Sequence, residues 1–299
     1  MRRFGPLTPA RYARLAIASA VSLYVIVLTG AAVRLTGSGL ACESWPGCQE
    51  GAFFPAVGEH SSIEFGNRVM ALFPIALSLA AWIFAYRTAG LGRWVRWLAG
   101  LTFLGTIAQA PLGLLTIRLD LHPLMVATHF LLALVVLATA TVVAVEAWGN
   151  GHGRVESPVP RWLQLVGLAL AGACGILVVT GTLSTAAGPH PGDSAEIERF
   201  WNLLDAVYIH VRATAAFGLS FLLLLVWLFR NRDRAGVLAP GAGILLGLLL
   251  VQMAVGELQW RNQLPWWLVL IHVGLAALVW AWTVALVTAL WRTPRTLTP

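Results

Sequence analysis

The chain contains no lysine: all 20 of its basic residues are arginines. Charge of either sign is scarce, with 11% charged residues against 58% hydrophobic over 299 positions. A soluble globular domain carries roughly twice that share of charge, so a soluble fold is excluded. Cysteine is also sparse. Cys42 and Cys48 share one polar stretch and Cys174 stands alone in an apolar run. Cys-x-x-Cys-His does not occur, which excludes covalent attachment of a c-type haem. The formal charge of +7 invites a nucleic-acid reading. The arginines, however, are scattered over short segments between apolar runs. That distribution is the positive-inside signature of a membrane protein, with lipid rather than nucleic acid as its surroundings.

Apolar runs long enough to cross a ~30 Å hydrocarbon core recur along the whole chain. They predict eight spans at roughly 15–35, 63–86, 94–116, 123–148, 161–183, 203–229, 237–258 and 265–290. The first, preceded by Arg2, Arg3, Arg11 and Arg14, has the flanks of a signal peptide. Its length and its polar exit at Arg34, Thr36 and Ser38 predict a retained helix. With both termini in the cytoplasm, fourteen of the twenty arginines fall inside, among them Arg154, Arg292 and Arg295. The loop carrying Cys42 and Cys48 then lies outside, in the envelope of a bacterial cell membrane. Two outer segments, 36–62 and 184–202, are long enough to hold a short amphipathic helix each.

The two halves align without a gap at one offset. Gln109 maps onto Gln252, Gly113 onto Gly256, Arg118 onto Arg261, His129 onto His272 and Asn67 onto His210. The fold class that follows is an all-α membrane protein with eight transmembrane helices. They form two four-helix bundles, 1–148 and 149–299, related by a pseudo-two-fold axis along the membrane normal. His129 follows Pro123 by two turns, and His272 follows Pro265 similarly. Each therefore lies ~10 Å below the outer surface, level with Asn67 and His210.

A lone intramembrane histidine is usually a hydrogen-bonded core residue. Two at one depth in one four-helix unit make a ligand pair, and His210 with His272 fits both axial positions of a haem b. Arg212 and Arg261 are the cations near enough to the outer surface to meet its propionates; the competing reading is a helix-end charge reaching water. In the first half the pair is broken, since His129 faces Asn67. Glu64 and Arg68 share the helix face of Asn67. Glu64 is either a solvated helix start or a carboxylate doing proton or electrostatic work in a buried site. His60 and His122, two turns above Asn67 and His129, offer a further pairing. Cys42 and Cys48 could be a structural staple or a redox-active pair. Cys174 reads as a small core residue.

The segments Arg34-Leu-Thr-Gly-Ser-Gly-Leu-Ala-Cys-Glu-Ser-Trp-Pro-Gly-Cys48, Ile63-Glu-Phe-Gly-Asn-Arg68 and Val179-Thr-Gly-Thr-Leu-Ser-Thr-Ala-Ala-Gly-Pro-His-Pro-Gly-Asp193, taken with the three histidines, resemble the haem A synthase family. The resemblance covers all eight spans. It implies oxidation of the C8 methyl of haem O to a formyl group by successive hydroxylations with oxygen from water. It implies haem b on His210 and His272, haem O in the N-terminal half, a Cys42–Cys48 disulfide and a catalytic Glu64. A haem O synthase as source of the substrate and an external electron acceptor are the partners it suggests. The departure is Asn67, where many members have histidine, so His129 alone is left to hold the substrate iron. A quinol-linked b-type cytochrome and a haem transporter are the rival readings.

Overall fold

A computed structural model describes residues 7–55, 58–193 and 197–294. Arg2, Arg3, Glu196 and Arg295 lie outside these residues. Among the described residues all regular structure is helical apart from isolated bridges, in the order α1 (Pro9–Leu35), α2 (Glu59–Met70), α3 (Leu72–Ala85), α4 (Arg93–Arg118), α5 (Pro123–His152), α6 (Arg161–Ala187), α7 (Leu203–Arg230), a single turn α8 (Arg232–Ala235), α9 (Leu238–Arg261) and α10 (Trp266–Trp291). Eight helices are long and apolar enough to span a membrane, with α2 and α3 forming one span, Glu59–Ala85. The interruption at Ala71 follows from Pro74. Its ring cannot donate and collides with the carbonyl four residues earlier, so the helix bends there. Among the described residues of the two long loops, 36–55 is a chain of turns and bends, α2 starts at Glu59, before the expected span, and 188–193 and 197–202 carry no helix.

Both halves use the same packing pattern. In the first, α1 touches α3 and α5, and α4 touches the same two; in the second, α6 touches α7 and α10, and α9 touches the same two. Each half is therefore a ring of four helices with two diagonals. Across one diagonal, α2 and α3 never approach α5 within 8 Å at any pair of Cα atoms, and α7 never approaches α10. The halves meet along α1, α5, α6 and α10, where Leu23, Val27, Leu134, Leu137 and Ala277 form a seam. Trp280 donates across it to the Leu134 carbonyl at 2.9 Å, as does Tyr24 to that of Gly274 at 3.2 Å.

Local backbone repeats as well. The turns before α5 and α10 each contain two consecutive non-glycine residues at positive φ, Asp120 and Leu121 in one and Gln263 and Leu264 in the other. Leu121 N–H bonds Thr116 O at 3.0 Å, and Leu264 N–H bonds Gln259 O at 2.7 Å. These are the same positions at the offset that relates His129 to His272.

At the end of the bundle away from the cysteine loop, each half packs solidly. Tyr12, Val95 and Ala147 anchor the first core, and Leu163, Phe217, Leu224 and Leu290 the second. There Glu146, with a side chain only 1% exposed, receives Arg154 at 2.5 Å and Arg292 at 3.2 Å. This triad joins α5, the segment between the halves and the end of α10. Glu146→Ala leaves two guanidiniums without their shared anion. Both arginines are partly exposed, so the cost is discounted to about 2 kcal/mol. A thermal melt of the detergent-solubilised protein should show it; an unchanged midpoint would remove the triad from the account.

Candidate functional site

The cysteine-loop end is where the diagonals open. In the N-terminal half a cavity of about 530 Å³ is lined by Glu64, Asn67, Arg68, Gln109 and His129, with Arg34 also on its wall. Its size falls in the range of cofactor and ligand sites.

Asn67 comes from the last turn of α2. Its Oδ1 accepts from Thr29 Oγ1 at 2.7 Å, and it lies over Gly30, where only a hydrogen occupies the α1 surface. His129 projects from α5 against Gly113 of α4, and its Nδ1 is shut off from solvent with no partner. Gln109, on the cavity wall, has both amide atoms in the same condition. A side chain at position 67 with its oxygen already committed to Thr29 is a poor second ligand. Among the described residues that line this cavity, His129 is the one histidine.

Glu64 is not a solvated helix start. It is 5% exposed, its Oε2 accepts from Cys42 N–H at 2.8 Å and its Oε1 from Arg68 Nη2 at 2.5 Å. Arg68 also donates to the carbonyls of Ser44, at 2.7 Å, and Gly47. One ion pair thus binds the cysteine loop to α2. Cys42 and Cys48 form a disulfide buried beneath Phe65. Thiol–disulfide exchange needs access to a sulfur, and both cysteines are buried. His60 bonds Ser38 at 2.8 Å and His122 is an exposed residue at the start of α5, so each has a local setting of its own.

The second half repeats this arrangement with imidazoles. His210 Nδ1 lies 3.2 Å from Thr180 Oγ1 and its ring rests on Gly181, while His272 rests on Gly256. Gln252 Nε2 approaches His272 Nε2 at 3.1 Å, and His272 Nδ1 has no partner. The two residues stand on α7 and α10, the diagonal pair whose backbones have no Cα atoms within 8 Å of each other. Two imidazoles on the helices that flank such a gap, one of them with a ring nitrogen that has no partner, fit a bis-histidine haem. A ring flip exchanges which nitrogen points inward.

Arg212 and Arg261 serve this slot less well than their depth suggests. Arg212 is two residues from His210, which turns it ~200° around the helix, and it stacks on Tyr208 of its own helix, 3.3 Å from the ring centroid. Arg261 pairs with Glu257 at 2.5 Å, and both are largely exposed. Two other, half-buried cations meet at this end. Arg34 and Arg199 donate to a single carbonyl, that of Thr185, at 2.7 and 3.1 Å. Burial pulls the Arg199 guanidinium below its usual pKa.

A sequence model for cytochrome oxidase assembly proteins of the COX15-CtaA family matches residues 13–62 and 56–284. The chain belongs to this family. Relatives carrying the name heme A synthase include one from Symbiobacterium thermophilum, 28% identical over 88% of this chain and 90% of its own. Another, from Hyphomonas neptunium, is 27% identical over 93% of each. The match to the enzyme of Bacillus licheniformis is 32% identical but spans 42% of this chain and 41% of that one. The COX15-CtaA match over 56–284 runs through both slots, so Asn67, His129, His210 and His272 lie in the same matched region.

The Thr-Gly pairs that seat Asn67 and His210 were accessible to sequence reasoning. Leu28-Thr-Gly30 and Val179-Thr-Gly181 are the signal. They escape an ungapped alignment because Thr29 and Asn67 are 38 residues apart and Thr180 and His210 only 30.

Proposed function

We propose that this chain is a haem A synthase, oxidising the C8 methyl of haem O to a formyl group by successive hydroxylations with oxygen from water. The observation that carries the reading is the asymmetry between two otherwise equivalent slots. One has facing imidazoles; the other has a single imidazole, an amide and an ion-paired carboxylate around a cavity. Residues 1–148 are the substrate side and 149–299 the haem b side.

His129 holds the substrate iron, with Asn67 and Arg68 completing the wall opposite. Glu64, already bonded to Arg68, is better placed to stabilise positive charge developing near the methyl group than to act as a resting base. His210 and His272 would hold a haem b, which would supply one-electron redox capacity. Each hydroxylation by water releases two electrons and two protons, so an acceptor outside the chain is required. A haem O synthase in the same membrane is the natural source of substrate. The protein spans a bacterial cell membrane with both termini cytoplasmic and the cysteine loop outside.

Cells supplied with haem O and expressing the chain should yield haem A when their haems are extracted, separated and weighed by mass spectrometry. A b-type electron carrier would yield haem b and unconverted haem O, as would a transporter. Either result would overturn the proposal.

A further inference from the structure

Arg34 and Arg199 come from different halves of the chain and meet at one point. Arg34 is the last-turn cation of α1, and Arg199 precedes α7. Both point a terminal nitrogen at the Thr185 carbonyl in the last turn of α6. A helix C-terminus carries about half a negative charge, and one such end cannot neutralise two guanidiniums. Among the described residues neither forms an ion pair with a carboxylate. Each also keeps its Nε shut off from solvent without a hydrogen-bond partner. Among the described residues, then, the pair has no carboxylate counter-ion.

Position tells which anion. Arg34 lies on the wall of the same cavity as Asn67 and His129, and so does Thr185. Along α1, Arg34 stands five residues beyond Thr29, the residue that bonds Asn67, which places it ~7.5 Å nearer the cysteine-loop end. That separation is of the order of a porphyrin radius with its carboxylate arm. Above, Gly39 N–H bonds Gly192 O at 2.8 Å and joins the two loops. Arg34 meets what is inside the cavity, and Arg199 adjoins that wall at the shared Thr185 carbonyl.

We propose that Arg34 and Arg199 form a clamp for the two propionate carboxylates of the macrocycle bound in the N-terminal cavity, orienting its polar edge toward the cysteine loop. The proposal rests on the reading of that cavity as the haem O site. Guanidiniums bind carboxylates through charge-assisted hydrogen bonds, and a site built from two of them discriminates against ligands whose acids are masked.

The test is an optical titration of the purified protein, with haem b in place, using haem O and its dimethyl ester. The wild type should prefer the free acid by about tenfold or more. Arg34→Gln and Arg199→Gln should each shrink that preference, and the double variant should bind acid and ester alike, with the b-type spectrum unchanged as evidence of folding. Equal affinity for acid and ester in the wild type would overturn the clamp without needing any variant. Preference retained in the double variant would overturn it too. If neither ligand titrates, or His129→Ala leaves the titration unaltered, the reading of the cavity itself fails. If phosphatidylglycerol vesicles, compared with phosphatidylcholine, weaken only the free acid, the arginines serve a lipid phosphate and the clamp is wrong.

Discussion

Glu64→Gln should leave the b-type haem spectrum intact while haem A formation falls by at least ~100-fold. The amide keeps the size of the carboxylate, and its oxygen can still accept from Cys42 N–H, the contact that fixes the loop. Arg68 retains the carbonyls of Ser44 and Gly47. What disappears is one negative charge in a site where the surrounding dielectric is low. Charge near a developing cation is worth several kcal/mol there. Glu64→Asp, which keeps the charge and shortens the reach, should be intermediate. Extraction and chromatography of haems from cells making each variant gives the answer. Normal product from Glu64→Gln would end the assignment.

The second large effect is on cofactor content. His210→Ala and His272→Ala should each lower the b-type signal of the purified protein by about an order of magnitude, since both axial bonds are needed for a low-spin haem. Neither should unfold the protein. The buried packing of α7 and α10 lies further along those helices, at Phe217, Leu224, Leu286 and Leu290. His129→Ala is the control, because that residue sits in the other half and should leave the b-type spectrum alone. Full signal in both C-terminal variants would refute the pair.

Much of this was written in the chain in one dimension. Eight apolar runs gave eight spanning helices, within a few residues at most ends. The offset linking Gln109 to Gln252 and His129 to His272 reappears in the backbone, down to paired left-handed residues before α5 and α10. The disulfide is there, as is the carboxylate among the cavity-lining residues. Depth is readable from residue counts because helix rise is constant. Direction around the helix is readable as well, and Arg212 illustrates the cost of using depth alone. Other features depend on distant pieces of chain arriving together. Glu146 and Arg292 are 146 residues apart, and Arg34 and Thr185 are 151 apart. No local pattern announces either meeting. The ion pair of Glu64 with Arg68 sits at the favourable i, i+4 spacing, yet its burial depends on a loop whose path the sequence leaves open.

The break at Ala71 leaves cavity-lining apolar side chains on the outer flank of the bundle. Val69 and Leu72 flank it, and both line the cavity while remaining largely exposed on the flank of the bundle, at 42% and 61%. Above them the Gly39–Gly192 bond ties the two loops together. A chamber whose wall includes apolar side chains on the flank of the bundle can trade with the bilayer, where a prenylated porphyrin is soluble and water is scarce. Neighbours that supply the substrate or collect the product need only share the same sheet of lipid, and a reactive intermediate that slips out stays in the membrane.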